Sequence, residues 1–156
     1  MTREMLLYLY SINHKALHAN VSDLSDEDAL IQPKPDGNCL NWVVGHIVSS
    51  RDGALKLVGG EGFLDPATSK RYDRGSAPIR GAGDGKPLAA LLTEFDRSQE
   101  RLAAWLRAAP EGAWESPLEG WGTVAKRLFF LHFHEAYHVG QTGILRRLAG
   151  KKGAIA

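Results

Sequence analysis

Hydrophobic residues recur at helical spacing in four long stretches of the chain, with polar residues between them. The stretches that this pattern predicts as helices are residues 3–20, 39–58, 87–108 and 123–148. A shorter piece near 25–33 begins with a weak capping box at Ser25. Because we find no strand-like alternation and no internal repeat, the pattern predicts an all-α four-helix bundle.

Residues typical of helix ends support these boundaries. Pro87 suits the start of the third helix, and Gly59-Gly60 is a stop signal for the second. We predict Asn38 as the N-cap of the second helix and Thr123 as the N-cap of the last. Before Asn38, the residues Pro33, Pro35 and Gly37 predict a turn.

Residues 59–87 are rich in glycine, proline and charged residues and show little periodicity. A loop of this length is unusual in a compact domain and is typical of a functional lid or a mobile segment. The sequence does not predict its conformation.

Length and composition set the broad class of protein. The 156 residues fit one domain spanning 1–156 and are enough to bury a core. The net charge of +1 lacks the basic excess of nucleic-acid-binding proteins, so we expect no nucleic acid partner. The apolar run Met5–Tyr10 is too short for a signal peptide or a membrane span. We therefore expect a cytoplasmic protein without membrane association.

The single cysteine, Cys39, cannot form an intramolecular disulfide, which fits a reducing compartment. It lies near a predicted helix N-terminus, where a thiolate is favoured, but about 10 Å along the helix from His46. We interpret it as a small buried side chain.

The last predicted helix carries a pair of histidines with the spacing of metal ligands. His134 and His138 are one turn apart, so their imidazoles share a face and can converge on one ion. The rest of this face is mostly apolar, including Phe130 and Leu148, which predicts that it faces the bundle interior. His132 lies on the opposite face, where we expect a surface residue.

A third histidine lies on the second predicted helix. His46 shares a mostly apolar face with Trp42 and Val43, and Trp42 is expected to form a wall beside it. Bundle cores commonly bind metal ions between facing helices, so we predict a divalent metal site formed by His46, His134 and His138. The alternative for each residue is a core histidine that is hydrogen-bonded to a neighbour.

The first helix offers a competing pair, His14 and His18, which are also one turn apart. His14 lines up with apolar residues and can face inward. Either this pair contributes to the site, or His14 is a core or pocket-edge residue and His18 a surface residue.

The segment from His134 to His138 also matches the His-Glu-x-x-His motif of zinc proteases, in which the glutamate is the general base. Those enzymes take a third ligand from further along the chain, and no Glu, Asp, His or Cys follows His138. Hydrolase activity is therefore a minor alternative. Glu135 lies about 60° around the helix from His138 and remains a candidate to orient a ligand or water.

Two segments resemble the DinB/YfiT-like family of metal-binding proteins. Residues 41–47, Asn-Trp-Val-Val-Gly-His-Ile, resemble the motif of that family's second helix. Residues 134–141, His-Glu-Ala-Tyr-His-Val-Gly-Gln, and residues 145–150 resemble its last helix. The order and separation of the two motifs match as well.

This resemblance implies an up-down-down-up four-helix bundle, often a homodimer, that holds zinc, nickel or a similar divalent ion on His46, His134 and His138. Some members are thiol-dependent enzymes, such as bacillithiol S-transferases and mycothiol-dependent maleylpyruvate isomerase. We therefore expect a metal-dependent enzyme with thiol S-transferase or related chemistry, acting on a small molecule with a low-molecular-weight thiol. The alternative is a non-enzymatic bundle that binds a metal or another ligand.

Three protein ligands leave a coordination position open, which is typical of catalytic metal sites. Gln141 shares the ligand face, and we predict that it hydrogen-bonds a substrate or a ligand, with Glu135 as the second catalytic candidate. Arg127 lies two turns before His134, where it can meet an anionic group. A pocket-rim or surface position is the alternative for Gln141 and Arg127.

Overall fold

The computed structural model describes residues 2–34 and 36–155 of the chain. Within them the chain forms seven helices and one small antiparallel sheet. The helices are α1 (Arg3–Val21), α2 (Asp26–Ala29), α3 (Leu40–Leu57), α4 (Pro66–Arg71), α5 (Leu88–Ala108), α6 (Glu111–Trp114) and α7 (Val124–Leu148). The strands are β1 (Pro117–Leu118) and β2 (Gly122–Thr123), with Pro117 opposite Thr123.

The predicted all-α class is confirmed, and the four predicted helices correspond to α1, α3, α5 and α7. The short sheet was not predicted, because strands of two residues leave no alternation to detect. The up-down-down-up order and the single domain over 1–156 stay predictions. Of the residues in the predicted turn, Pro35 lies outside the described residues.

The helix caps follow from local side-chain chemistry. Thr123 accepts a hydrogen bond from the backbone N–H of Lys126 at the start of α7, as predicted. Ser25 and Asp28 form the predicted capping box of α2, each side chain accepting from the other's N–H at 3.1 Å. For α3 the prediction of Asn38 was wrong by one residue, because Cys39 is the N-cap.

The four long helices pack as a ring in which α1 contacts α5 and α7, and α3 contacts the same two helices. The α1–α5 groove and the α3–α7 groove therefore lie on opposite sides of the bundle. α3 is the most deeply buried helix, since nearly every side chain in its first half is excluded from solvent. Helices α3 and α7 together form the frame of the candidate site.

The segment 59–87 is integrated into the fold. It contains α4, and its Tyr72 and Ile79 are buried in the core. The buried carboxylate of Asp52 on α3 accepts hydrogen bonds from the N–H groups of Phe63 at 2.6 Å and Leu64 at 3.1 Å. The loop therefore supplies core residues of its own, and the expectation of a lid or mobile segment stays a prediction.

The Tyr72 hydroxyl fixes the second half of this segment to α3. It donates to Oδ1 of Asn41 at 3.1 Å and accepts from the N–H of Lys86 at 2.8 Å. Nδ2 of Asn41 in turn donates to the Lys86 carbonyl at 2.8 Å. Asn41, five residues before His46, thus ties the loop to the helix that carries the candidate ligand.

Across residues 2–34 and 36–155, every helix is too short or too polar to cross a membrane.

Candidate metal centre

The α3–α7 groove brings the three predicted histidines together. Nε2 of His134 lies 3.3 Å from Nε2 of His46 and 3.2 Å from Nε2 of His138. All three ligand atoms lie within 4.8 Å of one another. Two nitrogens that bind a tetrahedral zinc ion at about 2.0–2.1 Å are themselves separated by roughly 3.3 Å. The spacing of the imidazoles therefore suits a divalent ion.

Hydrogen bonds fix the tautomers of two of these rings. Nδ1 of His46 donates to the backbone carbonyl of Tyr72 at 2.7 Å, and Nδ1 of His138 donates to Oε1 of Gln141 at 2.7 Å. A proton on Nδ1 leaves a lone pair on Nε2, which is the atom that faces the other histidines. Metal-binding histidines are commonly held by such carbonyl acceptors on the opposite ring nitrogen.

His134 completes the set as a neutral ring. Burial, together with the charges of His138, His46 and Arg127, lowers the pKa of His134 to about 4. Burial also lowers the pKa of His138, against the opposing effect of its hydrogen bond to Gln141. Neutral imidazoles are the form that binds metal ions. The lone pairs on Nε2 of His46 and His138 are therefore available to a cation at the point where the three rings meet.

Aromatic side chains form the walls of the site. Trp42 stacks on His46, with ring centroids 4.7 Å apart and an interplanar angle of 13°, so it forms the wall that the sequence predicted. Its Nε1 donates to Oγ of Ser76 at 2.8 Å. Phe130 stacks near His134 at 6.4 Å, and Tyr137 meets His138 edge-on at 5.2 Å. These rings pack around the three imidazoles and form the sides of the site.

The site is open on one side. His46 is 7% exposed, whereas His134 and His138 are only partly buried. A groove of about 470 Å³ adjoins His138. Its lining includes Asp36, Asn38, Trp42, Tyr137, Gln141 and Leu145. A small molecule in this groove lies beside the histidine cluster.

The prediction that the histidine face of α7 points to the interior holds only in part, because Leu145 on that face is buried. Phe130 and Leu148, which share that face, are 40% and 46% exposed. Apart from Leu145, the buried residues of α7 lie further around the helix and are Val124, Leu128, Glu135, Val139, Thr142 and Arg146. Several of them are polar, so the pattern of apolar residues indicated a face that is rotated from the centre of the buried one. His134 and His138 lie at the edge of the buried face, which is why the site opens to a groove.

Glu135 lies in the bundle core and is bound by Arg51. Nε and Nη2 of Arg51 donate to its two carboxylate oxygens at 2.6 and 2.9 Å, and each side chain is 2% exposed. Nη1 of Arg51 also donates to the carbonyl of Phe95 and to Oγ of Ser98, both at 3.2 Å. With both oxygens bound in this way, Glu135 lacks the free carboxylate that the zinc-protease interpretation requires. Its catalytic role stays a prediction.

Gln141 and Arg127 lie at the two sides of the histidine cluster. The side-chain oxygen of Gln141 accepts the hydrogen bond from Nδ1 of His138, and Gln141 also lines the groove. The Arg127 guanidinium lies over the rings of Trp121 at 4.1 Å and Phe130 at 5.4 Å. Gln141 therefore lies beside the groove, while Arg127 packs on aromatic rings, one of which, Phe130, stacks near His134.

The remaining histidines and the cysteine lie elsewhere. His14 and His18 meet Asp96 across the α1–α5 groove, so they are not part of the three-histidine cluster. The prediction of His132 as a surface residue was wrong in part, because it is half-buried, with its ring edge-on to Tyr10 at 5.2 Å. Cys39 is fully buried.

Sequence reasoning missed two residues that support the site. Tyr72 binds His46 through its backbone carbonyl. Because every residue type has such a carbonyl, the identity of Tyr72 did not indicate this role. Arg51 carried a weak signal, because it is a charged residue in a helix that is otherwise mostly apolar.

Comparison with known proteins identifies the family. The sequence of residues 9–142 matches the DinB superfamily. The fold is similar to that of a conserved protein of a locus from Enterococcus faecalis, with a TM-score of 0.77, 16% identity, and coverage of 97% of this chain and 99% of that chain. At this identity the similarity shows a shared fold. No curated protein matches the sequence. Because the family match spans most of the sequence, the chain belongs to the DinB superfamily.

Proposed function

We propose that this protein is a metal-dependent enzyme that joins a low-molecular-weight thiol to an electrophilic small molecule. The observation that carries the proposal is the convergence of three imidazole Nε2 atoms at the edge of a groove. Three protein ligands beside an accessible space are typical of catalytic metal sites. Family membership supports the metal, and the resemblance to thiol-dependent members supports the chemistry.

A metal ion held by His46, His134 and His138 would supply the activation. A zinc, nickel or similar divalent ion bound there would lower the pKa of a thiol at its remaining coordination position, which makes thiolate available near neutral pH. In the reaction the thiol sulfur forms a bond to an electrophilic carbon, the leaving group departs with the bonding electron pair, and the thiol proton passes to solvent.

The residues of the chain position the reactants. The Tyr72 carbonyl and the Gln141 side chain fix the rings of His46 and His138 before any ligand binds. Trp42 and Tyr137 provide apolar walls for the substrate in the groove. Arg127 supplies a positive charge near His134, suited to an anionic group on the thiol or on the substrate.

Turnover of a chromogenic or fluorogenic electrophile tests this function. Protein loaded with zinc or nickel is mixed with monochlorobimane and each of four thiols: bacillithiol, mycothiol, glutathione and cysteine. We expect thiol-dependent conjugation that is lost in the chelated protein and in His46→Ala. His132→Asn is the matched control, because His132 lies outside both histidine clusters, and it is expected to keep full activity. Retained metal without turnover of any thiol would contradict the enzymatic proposal and favour the metal-binding alternative.

The expected homodimer also belongs to this proposal. Phe133, Tyr137 and Ile144 follow one face of α7 and are 61%, 60% and 70% exposed. A stripe of large apolar side chains of this kind commonly marks an interface with another protein. Light scattering tests the expectation: a dimeric mass that becomes monomeric in Tyr137→Glu supports it, and a monomeric wild-type protein contradicts it. The cytoplasmic location stays a prediction.

A further inference from the structure

A second group of metal-ligating side chains lies across the α1–α5 groove. His14 and His18 are one turn apart on α1, and Asp96 faces them from α5. Nε2 of His14 lies 2.7 Å from Oδ1 of Asp96, and Nε2 of His18 lies 2.6 Å from the same oxygen. The three candidate ligand atoms lie within 4.8 Å of one another. The two imidazoles therefore converge on one carboxylate oxygen from the same side.

We infer that His14, His18 and Asp96 bind a second divalent transition-metal ion. Two imidazoles and one carboxylate form a ligand set that zinc, cobalt, iron and nickel accept, and it leaves coordination positions free for water or a small ligand. A metal ion replaces the two protons that otherwise join the histidines to Asp96. The carboxylate needs to move only slightly, because its shared oxygen is already in contact with both rings.

Packing holds these ligands in position. The His14 ring stacks on Phe95, with centroids 5.1 Å apart and an interplanar angle of 17°. The Arg51 guanidinium contacts the same Phe95 ring at 4.0 Å, and its charge is balanced by Glu135. The ligand rings thus rest on a buried and electrically balanced support, which reduces the cost of organising a site.

The position also allows an ion to enter. The side chains of His14, His18 and Asp96 are 26%, 38% and 49% exposed, so the cluster is open to solvent while its inner side is packed. The three-histidine cluster lies in the α3–α7 groove on the opposite side of the bundle and shares no residue with this one. The two sites are therefore separable by mutation.

Cobalt titration of a variant without the first site tests the inference. The double variant His134→Ala/His138→Ala removes two of the three ligands in the α3–α7 groove and leaves the α1–α5 groove intact. We expect this protein to bind one equivalent of Co²⁺, seen by visible absorption and by equilibrium dialysis. Adding His18→Ala or Asp96→Asn is expected to weaken this binding at least tenfold.

Glu100→Gln in the same background is the matched control, because Glu100 is an exposed acid one turn after Asp96 on α5. It is expected to leave Co²⁺ binding unchanged, and circular dichroism checks that each variant is folded. Failure of the double variant to bind Co²⁺ would overturn the inference. Binding that Asp96→Asn, His18→Ala and Glu100→Gln change equally would overturn it as well. Neither result bears on thiol transfer, which depends on the other cluster.

Discussion

The ring of Tyr72 packs against the backbone of Gly45, so closely that a Cβ atom at position 45 would overlap Cδ1 of that ring. Glycine at this position therefore lets the loop approach α3, and the same residue, Tyr72, offers its carbonyl to Nδ1 of His46. The glycine that precedes the candidate ligand thus has a structural reason: it makes room for the residue that orients the ligand.

Gly45→Ala is expected to displace Tyr72 and to weaken metal binding about tenfold to a hundredfold, since the acceptor of His46 moves. We also expect a loss of about 1–3 kcal/mol in the free energy of unfolding from overpacking. Metal competition with a chromophoric chelator measures the first effect, and urea unfolding measures the second.

Gly53→Ala is the matched control on the same helix. Gly53 is exposed, and apart from its chain neighbours and the nearby backbone of its own helix, no described atom lies within 4 Å of a Cβ built there. This variant is expected to gain about 0.5–1 kcal/mol from helix propensity and to keep its metal affinity. Equal metal affinity in both variants would refute the role assigned to Gly45.

Replacing Gln141 tests the hydrogen bond to His138. Gln141→Leu removes the acceptor for Nδ1 at similar size, so the ring loses its fixed tautomer and metal affinity falls about tenfold to a hundredfold. Gln141→Glu retains an oxygen acceptor and is expected to preserve the affinity. An unchanged dissociation constant for Gln141→Leu would show that the hydrogen bond does not support the site.

The buried pair of Arg51 and Glu135 predicts a large effect on stability. Glu135→Ala leaves the Arg51 charge buried without its partner and is expected to cost about 3–5 kcal/mol in the free energy of unfolding. Glu100→Ala, at an exposed position, is expected to change it by less than about 0.5 kcal/mol. Chemical denaturation compares the two. A stable Glu135→Ala protein that has lost only thiol transfer would instead assign Glu135 a catalytic role.

The lowered pKa of His134 predicts acid sensitivity of the metal-free protein. Its pKa is about 4 in the folded chain and 6.5 ordinarily, so between these pH values the unfolded chain binds more protons. Protonation of this ring therefore leaves the free energy of unfolding unchanged above about pH 6.5 and reduces it as the pH falls towards 4. At about pH 5.5 the loss is roughly 1 kcal/mol.

Urea unfolding of chelator-treated protein at about pH 7.5 and about pH 5.5 measures this loss. His134→Gln lacks the titrating ring, so its stability is expected to decline less over the same interval. The same decline in both proteins would contradict the assignment.

Much of the fold could be predicted because the amphipathic pattern of the long helices is local. The first residues of α5 and α7 could be predicted from Pro87 and Thr123. The ligand pair on α7 could be predicted from the one-turn spacing of His134 and His138. Spacing within one helix cannot place a residue on another, so the prediction that His46 joins this pair depended on its apolar helix face and was strengthened by resemblance to a family.

The rest depends on contacts between distant parts of the chain. The buried face of α7 was predicted only in part, because Glu135 is buried through a partner, Arg51, that lies 84 residues away. Tyr72 belongs to a segment without periodicity, and its contribution to the site is a backbone carbonyl. The Tyr72 contact leaves no local trace in the sequence, and the pairing of Arg51 with Glu135 leaves only the weak signal of a charged residue in a mostly apolar helix.

Metal analysis of the three single variants His46→Ala, His134→Ala and His138→Ala tests the central claim most directly. Each protein is purified with His132→Asn as the control, and its bound metal is measured by elemental mass spectrometry. The account predicts that each alanine variant contains about one equivalent of metal less than the wild type, while His132→Asn retains the wild-type content. Wild-type metal content in all three alanine variants would contradict it.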